Sequence, residues 1–443
     1  MKNLAPNKLD KQQNILLAFY GDDFTGSTDA LEFMCRAGAK TVLFIDPPTK
    51  EQLAAYPGLD AFGIAGKTRS LSPDEMKNTL LPVFEKLKSS GVRHVHYKVC
   101  STFDSSPAIG SIGKAIDAGS TIFNNPVIPV LGGMPALGRY CLFGNLFAQM
   151  GIGSNGKIYR LDRHPSMSKH PATPADESDL RLHLGKQTDK KIGLIDVLQL
   201  NQQSDKWKDA IPNEQVILID VLNEEQLLKI GEWIDKQYNG KDPLFSVGSS
   251  GIEMALGNYW NHDQRLTPVQ EWKHPGQGSP LLVLSGSCSP VTAAQIAWAK
   301  ANGFEEVELD ATQICNDDIV SETTIDKVNE LLQQQKNVIV HTGPKQSQNL
   351  SSEKLGTALG VIASEAAKVS LVKRVVITGG DTSSYAARAM EIEAVEMIAP
   401  LVSGAPLCNA ISKNKAINGL EVNFKGGQVG GENYFGVMMK GEL

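Results

Sequence analysis

One feature constrains this chain more than any other: short apolar, β-rich runs alternate with stretches that carry apolar residues at helical spacing. Asn14–Tyr20, Thr41–Ile45, Ala61–Ala65, His94–Val99, Pro126–Leu131, Val216–Asp220 and Phe245–Gly248 read as strands, each bounded by Gly, Asp or Pro. Ser27–Ala37 and Glu75–Leu87 carry the helical spacing between them. Parallel strands need a crossover long enough to hold a helix, so this rhythm predicts a mainly parallel sheet covered on both faces. The polar segment 258–280 contains Pro268, Pro275, Gly276, Gly278 and Pro280 and has no period, which is a linker composition. Beyond it the alternation restarts: Leu281–Leu284, a helix from about Val291, Asn337–His341, Lys354–Lys368, Arg374–Thr378 and Ser383–Met390. The expected fold class is α/β. Two domains with mainly parallel sheets, 1–257 and 281–443, flank a linker at 258–280.

Composition removes several classes of function. The chain has 443 residues, 41% hydrophobic and 21% charged, which describes a folded globular protein with room for two or three domains. Lys plus Arg number 43 against 49 Asp plus Glu, a net charge of −6, so neither nucleic acid nor an anionic membrane is expected as partner. The opening MKNLAPNKLDKQQN lacks the apolar core of a signal peptide. No uncharged apolar run approaches the roughly 18 residues of a membrane span. A cytoplasmic protein is expected. The six cysteines (Cys35, Cys100, Cys141, Cys288, Cys315 and Cys408) form no C-x-x-C pair, so reduced thiols are expected rather than disulfides or zinc.

In open parallel sheets ligands bind beyond the carboxyl ends of the strands, so a site is expected in the loops that follow strands. The first runs from Tyr20 to Asp29 and holds Asp22 and Asp23 side by side. Adjacent carboxylates repel unless a cation, a substrate hydroxyl or helix-start amides receive them. A plain helix cap by Thr25 or Ser27 is the competing reading. The second loop, Lys98-Val99-Cys100-Ser101-Thr102-Phe103-Asp104-Ser105-Ser106, offers one cation, four hydroxyls and a carboxylate. That set suits a small polyhydroxylated acid, although a polar loop with Ser/Thr turns would look the same. Arg69, after the third strand, could grip a carboxylate through two N–H groups, or could be a solvated surface residue. Gly66-Lys67-Thr68 is not a phosphate-binding Walker loop, because position 61 is Ala where that loop needs Gly.

The second half repeats a different theme. Ser285-Gly286-Ser287-Cys288-Ser289 and Thr378-Gly379-Gly380-Asp381-Thr382 each follow a strand and precede a helix. Small residues there let backbone amides and hydroxyls approach a phosphate. Neither is a G-x-G-x-x-G, so a dinucleotide fold gains no support. A third Gly-rich segment, Lys425–Gly431, could be a hairpin turn or a further phosphate contact. Prolines around His164 and His170 make a rigid loop there, suited to a lid or an interface rather than to a metal face.

Together these motifs resemble the four-carbon acid sugar kinase family. GDDFTGSTDA, KVCSTFDSS, HPATP, SGSCSPVTAAQ, TGGDTSS and FKGGQVG occur in the family's order between about residues 14 and 437. The resemblance implies an N-terminal domain that binds the acid sugar and a C-terminal domain that binds ATP. Phosphoryl transfer would take place in the cleft between them, with Mg²⁺ neutralising the phosphates; the metal's ligands are unknown. Carried across, Asp22, Asp23, Arg69 and the Lys98, Val99, Cys100 and Ser101 stretch, with Thr102 and Asp104, would meet the sugar acid. Ser285, Ser287, Gly379, Gly380, Asp381, Thr382 and Gly427 would hold ATP. Asp23, nearer the helix start, is the expected group on the reacting hydroxyl, ahead of Asp22. The second motif is closer to the 3-oxo-tetronate kinase branch, while Gly-Gly-Gln replaces that branch's usual Ser-Gly-Asn. The substrate's stereochemistry, its oxidation state at C3 and the subunit count, monomer or homo-oligomer, stay open. The competing class is a non-catalytic sugar-acid sensor, which would leave the second-half turns without a purpose.

Overall fold

The computed structural model describes residues 15–443 apart from 151–155, 171, 211–212, 311–313, 315–319, 344–350 and 370–371. Asn14 of the first expected strand, Pro171 of the HPATP motif and Cys315 lie outside the described residues. In chain order the strands are β1 (Leu17–Gly21), β2 (Thr41–Phe44), β3 (Ala61–Ala65), β4 (His94–Lys98), β5 (Ile128–Leu131), β6 (Arg139–Leu142), β7 (Asn145–Gln149), β8 (Ile158–Arg160) and β9 (Ile192–Ile195). They continue as β10 (Val216–Ile219), β11 (Leu244–Gly248), β12 (Leu281–Ser285), β13 (Glu305–Glu308), β14 (Val338–His341), β15 (Arg374–Thr378), β16 (Ala394–Val402), β17 (Ala405–Ile411) and β18 (Glu421–Lys425).

The fold is α/β, with helices against a mostly parallel sheet. Eight strands of the first half lie in the order β9-β10-β5-β11-β4-β1-β3-β2, all parallel, with β6-β7-β8 a separate antiparallel sheet, and the second half follows the order β16-β17-β18-β15-β12-β14-β13. The two sets are one sheet. Antiparallel pairing of Ala394 with Phe44 and Val395 with Leu43 joins β16 to β2. β16 is antiparallel to β2, β17 to β16 and β18 to β17, so β18 and the strands parallel to it run opposite to those of the first half. Strand ends pointing opposite ways would separate the two sets of loops in a flat sheet. Six strand-to-strand steps lie between β1 and β15, and a twist of about 20–25° per step turns the second set by roughly 120–150° relative to the first. The twist therefore brings the two sets of carboxyl-end loops toward each other.

Helix Phe24–Arg36 is the element common to both halves. It packs on β1–β3 and on β16–β18, with Phe24 against Phe424 at a ring separation of 4.4 Å. Helix Pro73–Ser89 begins two residues before the expected Glu75: Ser72 and Glu75 exchange side-chain and backbone hydrogen bonds in a capping box. Helix Gly251–His262 takes in the first five residues of the expected linker, because Trp260 is buried and donates its indole N–H to Asp235. The irregular stretch begins at Asp263. Among the described residues no helix is long and apolar enough to cross a membrane.

The strands that pattern reading misses are the ones without its signals. β16 and β17 are apolar runs interrupted by Glu396 and Pro400 and by Asn409 and Pro406. β13 is Glu-Glu-Val-Glu, a charged edge strand.

Candidate active site

The site begins where β1, β3 and β4 end side by side. The Asp22 amide donates to Lys98 O at 2.8 Å and its carbonyl accepts from the Arg69 amide at 3.1 Å, so one residue clips three loops together. The two aspartates then part ways. Asp23 caps helix Phe24–Arg36: Oδ1 accepts from the Gly26 amide at 2.7 Å, and Oδ2 accepts from Thr25 Oγ1 at 2.9 Å and pairs with Arg69 Nη1 at 2.7 Å. Burial would raise its pKa, but the charges of Arg69 and Lys98 and these hydrogen bonds hold the carboxyl below its ordinary value. Asp22 is equally buried, and its Oδ1 has no hydrogen-bond partner. Burial, then the charge of Asp23, push it up to about 7.

The Lys98 side chain is buried beneath this pair and donates to Val99 O at 2.8 Å, with Asp29 Oδ2 at 3.5 Å. Desolvation works against its charge, yet Asp29 and Asp22 keep its pKa above the usual lysine value. The rest of the second motif wraps the same space. Cys100 Sγ lies 3.1 Å from Thr102 Oγ1, which donates to Asp104 Oδ1 at 2.8 Å. Burial and the Asp104 charge push the Cys100 thiol up to about 12, so it is a neutral thiol at physiological pH.

Three further residues join the cluster. Asp29 accepts from Ser250 Oγ at 2.6 Å, and its other oxygen is buried without a partner. Arg139, on β6, donates to Ser101 Oγ at 3.2 Å. Asp29 and Ser250 stand in a motif loop and a Gly-Ser-Ser-Gly turn visible in the sequence, whereas Arg139 lies in a hairpin without a strand signal. His164 and His170 stay outside the cluster and accept local backbone N–H bonds through Nδ1.

In the second half, the ends of β12, β15 and β18 meet in the same manner. Thr378 Oγ1 donates to Ser285 Oγ at 2.8 Å, the Gly286 amide donates to Thr378 O at 3.0 Å, and the Gly379 amide donates to Lys425 O at 2.9 Å. Space for a side chain is tight at two of the glycines. A side chain at Gly286 would lie 2.5 Å from Thr382, and one at Gly427 would lie 3.0 Å from Ser287 Oγ. Gly379 has a φ of +115°, a region that other residues rarely adopt. The first-turn amides of helix Gly380–Ala389 have no intrahelical acceptors, a ready anion site. Beside Ser285 and Ser287 opens a cavity of about 350 Å³, lined by Ala293, Ile296 and Ala297 on one side and by Glu308, His341 and Thr342 on the other.

The two loop sets touch. Arg69 pairs with Asp23 through Nη1 and reaches Asp381 Oδ1 through Nη2 at 3.4 Å. A side chain at Gly380 would lie 2.6 Å from Arg69 Nη2 and 2.9 Å from Asp23 Oδ2. A loop set of carboxylates, cations and hydroxyls thus abuts one of small residues and free helix-start amides. Among the described residues no three His, Cys, Asp or Glu side chains form a metal cage.

Comparison with known proteins agrees with this geometry. Residues 17–256 match the family of the sugar-binding N-terminal domain, and residues 282–435 match the nucleotide-binding C-terminal domain. The 3-oxo-isoapionate kinase of Paraburkholderia graminis is 40% identical, over 97% of this chain and 95% of that protein. The 3-oxo-tetronate kinase of Methylobacterium radiotolerans is 28% identical, over 96% and 98%. The crystal structure of a Salmonella typhimurium LT2 protein described as a tRNA synthase has a TM-score of 0.73 at 25% identity, over 96% of this chain and 98% of that one. Haemophilus influenzae HI1011 shares the fold, with a TM-score of 0.68 at 22% identity over 95% and 98%. With both halves matched and a kinase relative aligned along nearly its whole length, the chain belongs to the four-carbon acid sugar kinase family of ATP-dependent enzymes.

Proposed function

We propose that this kinase transfers the γ-phosphoryl group of ATP to the terminal hydroxyl of a 3-oxo sugar acid, at the seam between the Asp22–Asp23 loop and the Gly379–Thr382 turn. The observation that carries the reading is Arg69, which pairs with the buried Asp23 while reaching Asp381 of the opposite half. Arg69 and Lys98 would anchor the acid end, with the hydroxyls of Ser101 and Thr102 and the carboxylate of Asp104 against its hydroxyl groups.

The proton acceptor is then Asp22 rather than Asp23. Both oxygens of Asp23 are committed to Arg69, Thr25 and Gly26, whereas Asp22 keeps a free oxygen and a pKa near neutrality. As the substrate oxygen attacks the γ-phosphorus, its proton passes to Asp22 and ADP departs. Ser285, Ser287, the 379–382 turn and Gly427 would surround the phosphates, where fixed donors stabilise developing charge without reorganisation. Asp381, half-buried at a helix start, would share Mg²⁺ with the phosphates, whose charge the ion would neutralise.

The match of separate sugar-binding and nucleotide-binding families supports a division into 1–257 and 281–443 around the 258–280 connection. A cytoplasmic setting, where ATP is supplied, goes with it. The names of the relatives favour 3-oxo-isoapionate and 3-oxo-tetronates as acceptors. The test is ADP formation with Mg-ATP and a panel of 3-oxo-isoapionate, 3-oxo-tetronates, threonate and erythronate. A strong preference for one 3-oxo acid is expected. Binding of an acid without ADP formation from any of them would leave the sensor reading in place.

A further inference from the structure

Lys425 ends β18 where the three small-residue turns of the second half meet. Among the described residues three Lys and Arg are buried: Lys98, Arg374 and Lys425. Lys98 faces Asp29, and Arg374 pairs with Glu421. Among the described residues no carboxylate lies within ion-pair distance of Lys425. Its Nζ instead donates to Thr292 Oγ1 at 3.1 Å, Gly426 O at 2.9 Å and Gly427 O at 3.4 Å, and lies 5.4 Å from the centre of the Tyr434 ring.

The other charged groups on the elements around β18 are engaged elsewhere. On helix Phe24–Arg36, Asp29 binds Ser250 while Glu32 binds Arg36 and the Gly404 amide. On helix Gly380–Ala389, Asp381 faces Arg69, and Arg388 donates to Ile45 O. Lys300 of helix Pro290–Ala301 pairs with Glu306, and Lys440 closes its own helix at the end away from Tyr434. The Tyr434 phenol, the titratable group against Lys425, donates to Asn423 Oδ1 at 2.8 Å.

An ammonium buried without a counter-charge is costly to the folded state, and nothing in the packing here requires one. We infer that Lys425 is a positioning residue for the nucleotide: it draws the Gly426 and Gly427 carbonyls inward and holds behind the glycine turn a positive charge that the phosphates of ATP complete. This rests on the reading that the second half binds ATP. Burial takes the Lys425 pKa down to about 7, so a polyphosphate arriving nearby should restore its proton.

The experiment is calorimetric titration of Mg-ATP into the full chain at about pH 8, in two buffers of different ionisation enthalpy, since Mg-ATP itself carries no titrating proton there. The unaltered protein is expected to take up a sizeable fraction of a proton on binding. Lys425→Met should take up none and bind Mg-ATP about 10–100-fold more weakly, with sugar-acid affinity kept. Its melting temperature without nucleotide should equal or exceed that of the unaltered protein, because folding no longer has to strip a lysine of its proton. Lys425→Arg should keep most of the affinity without the uptake. Mg-ATP affinity within twofold of normal in Lys425→Met, or undiminished proton uptake, would overturn the inference. So would a Met variant that melts lower and loses both ligands together, which is the signature of a structural lysine. Failure of the unaltered protein to bind Mg-ATP would instead sink the kinase reading itself.

Discussion

Replacing Asp22 by Asn should raise stability and abolish most of the activity, and the opposed signs make the test demanding. The Asp22 carboxyl is buried beside the charge of Asp23 with one oxygen unpartnered, and its pKa rises from 3.8 to about 7 on folding. Between those values the folded chain holds a proton that the unfolded chain has released, so stability falls as pH rises through the window. The loss is complete above about pH 7. At 1.36 kcal/mol per pH unit it amounts to at most about 4 kcal/mol. Asn keeps the shape and one accepting oxygen but carries no charge. Asp22→Asn should therefore melt above the unaltered protein at about pH 8 and close to it near pH 4, read by scanning calorimetry across that range. Turnover moves the other way. Loss of the proton acceptor lowers kcat by about 10²–10⁴-fold, and the rise of kcat/KM through neutral pH disappears, while ATP binding is nearly unchanged. An Asp22→Asn protein with normal kcat, or one that melts lower at pH 8, refutes the assignment.

Arg69→Ala removes the partner of a buried carboxylate and the anchor of the acid end. KM for the sugar acid should rise about 10–100-fold, as expected from losing a charge-assisted pair of about 1.5–3 kcal/mol. A KM within twofold of normal would make Arg69 a strut between the halves and no more. Gly380→Val puts carbon where only 2.6–2.9 Å separate the position from Arg69 and Asp23, so KM should rise for both ATP and the sugar acid. An effect on ATP alone would show that the halves stand apart in the working enzyme. Asp235 accepts hydrogen bonds from Arg93, His94, Trp260 and Arg265 at the amino end of β4, far along the strand from Lys98. Asp235→Asn should cost about 1.5–3 kcal/mol in denaturant unfolding with kcat unchanged at low temperature, because four donors lose a charged acceptor while the part-exposed Arg93 and Arg265 keep solvent and Arg265 keeps Asp263.

Features that depend on local spacing can be read along the chain. Strand–helix alternation is legible because each parallel strand is a buried apolar run closed by turn residues, and β3 and β15 fall on Ala61–Ala65 and Arg374–Thr378 as the pattern predicts. Each motif loop is legible because the ends of parallel strands are where polar and small residues interrupt apolar runs. Tertiary structure decided the rest. Asp22 and Asp23 are indistinguishable in sequence. They differ because Arg69, arriving from β3, pairs with one of them and leaves the other short of a partner. Arg139 joins Ser101 only through the packing of an antiparallel hairpin, and that the two halves form one sheet follows from a single seam between β2 and β16. Such pairings join residues dozens to hundreds of positions apart, and no periodicity encodes them. Proximity and burial set the charge state of a carboxyl or an ammonium, and both belong to the folded chain.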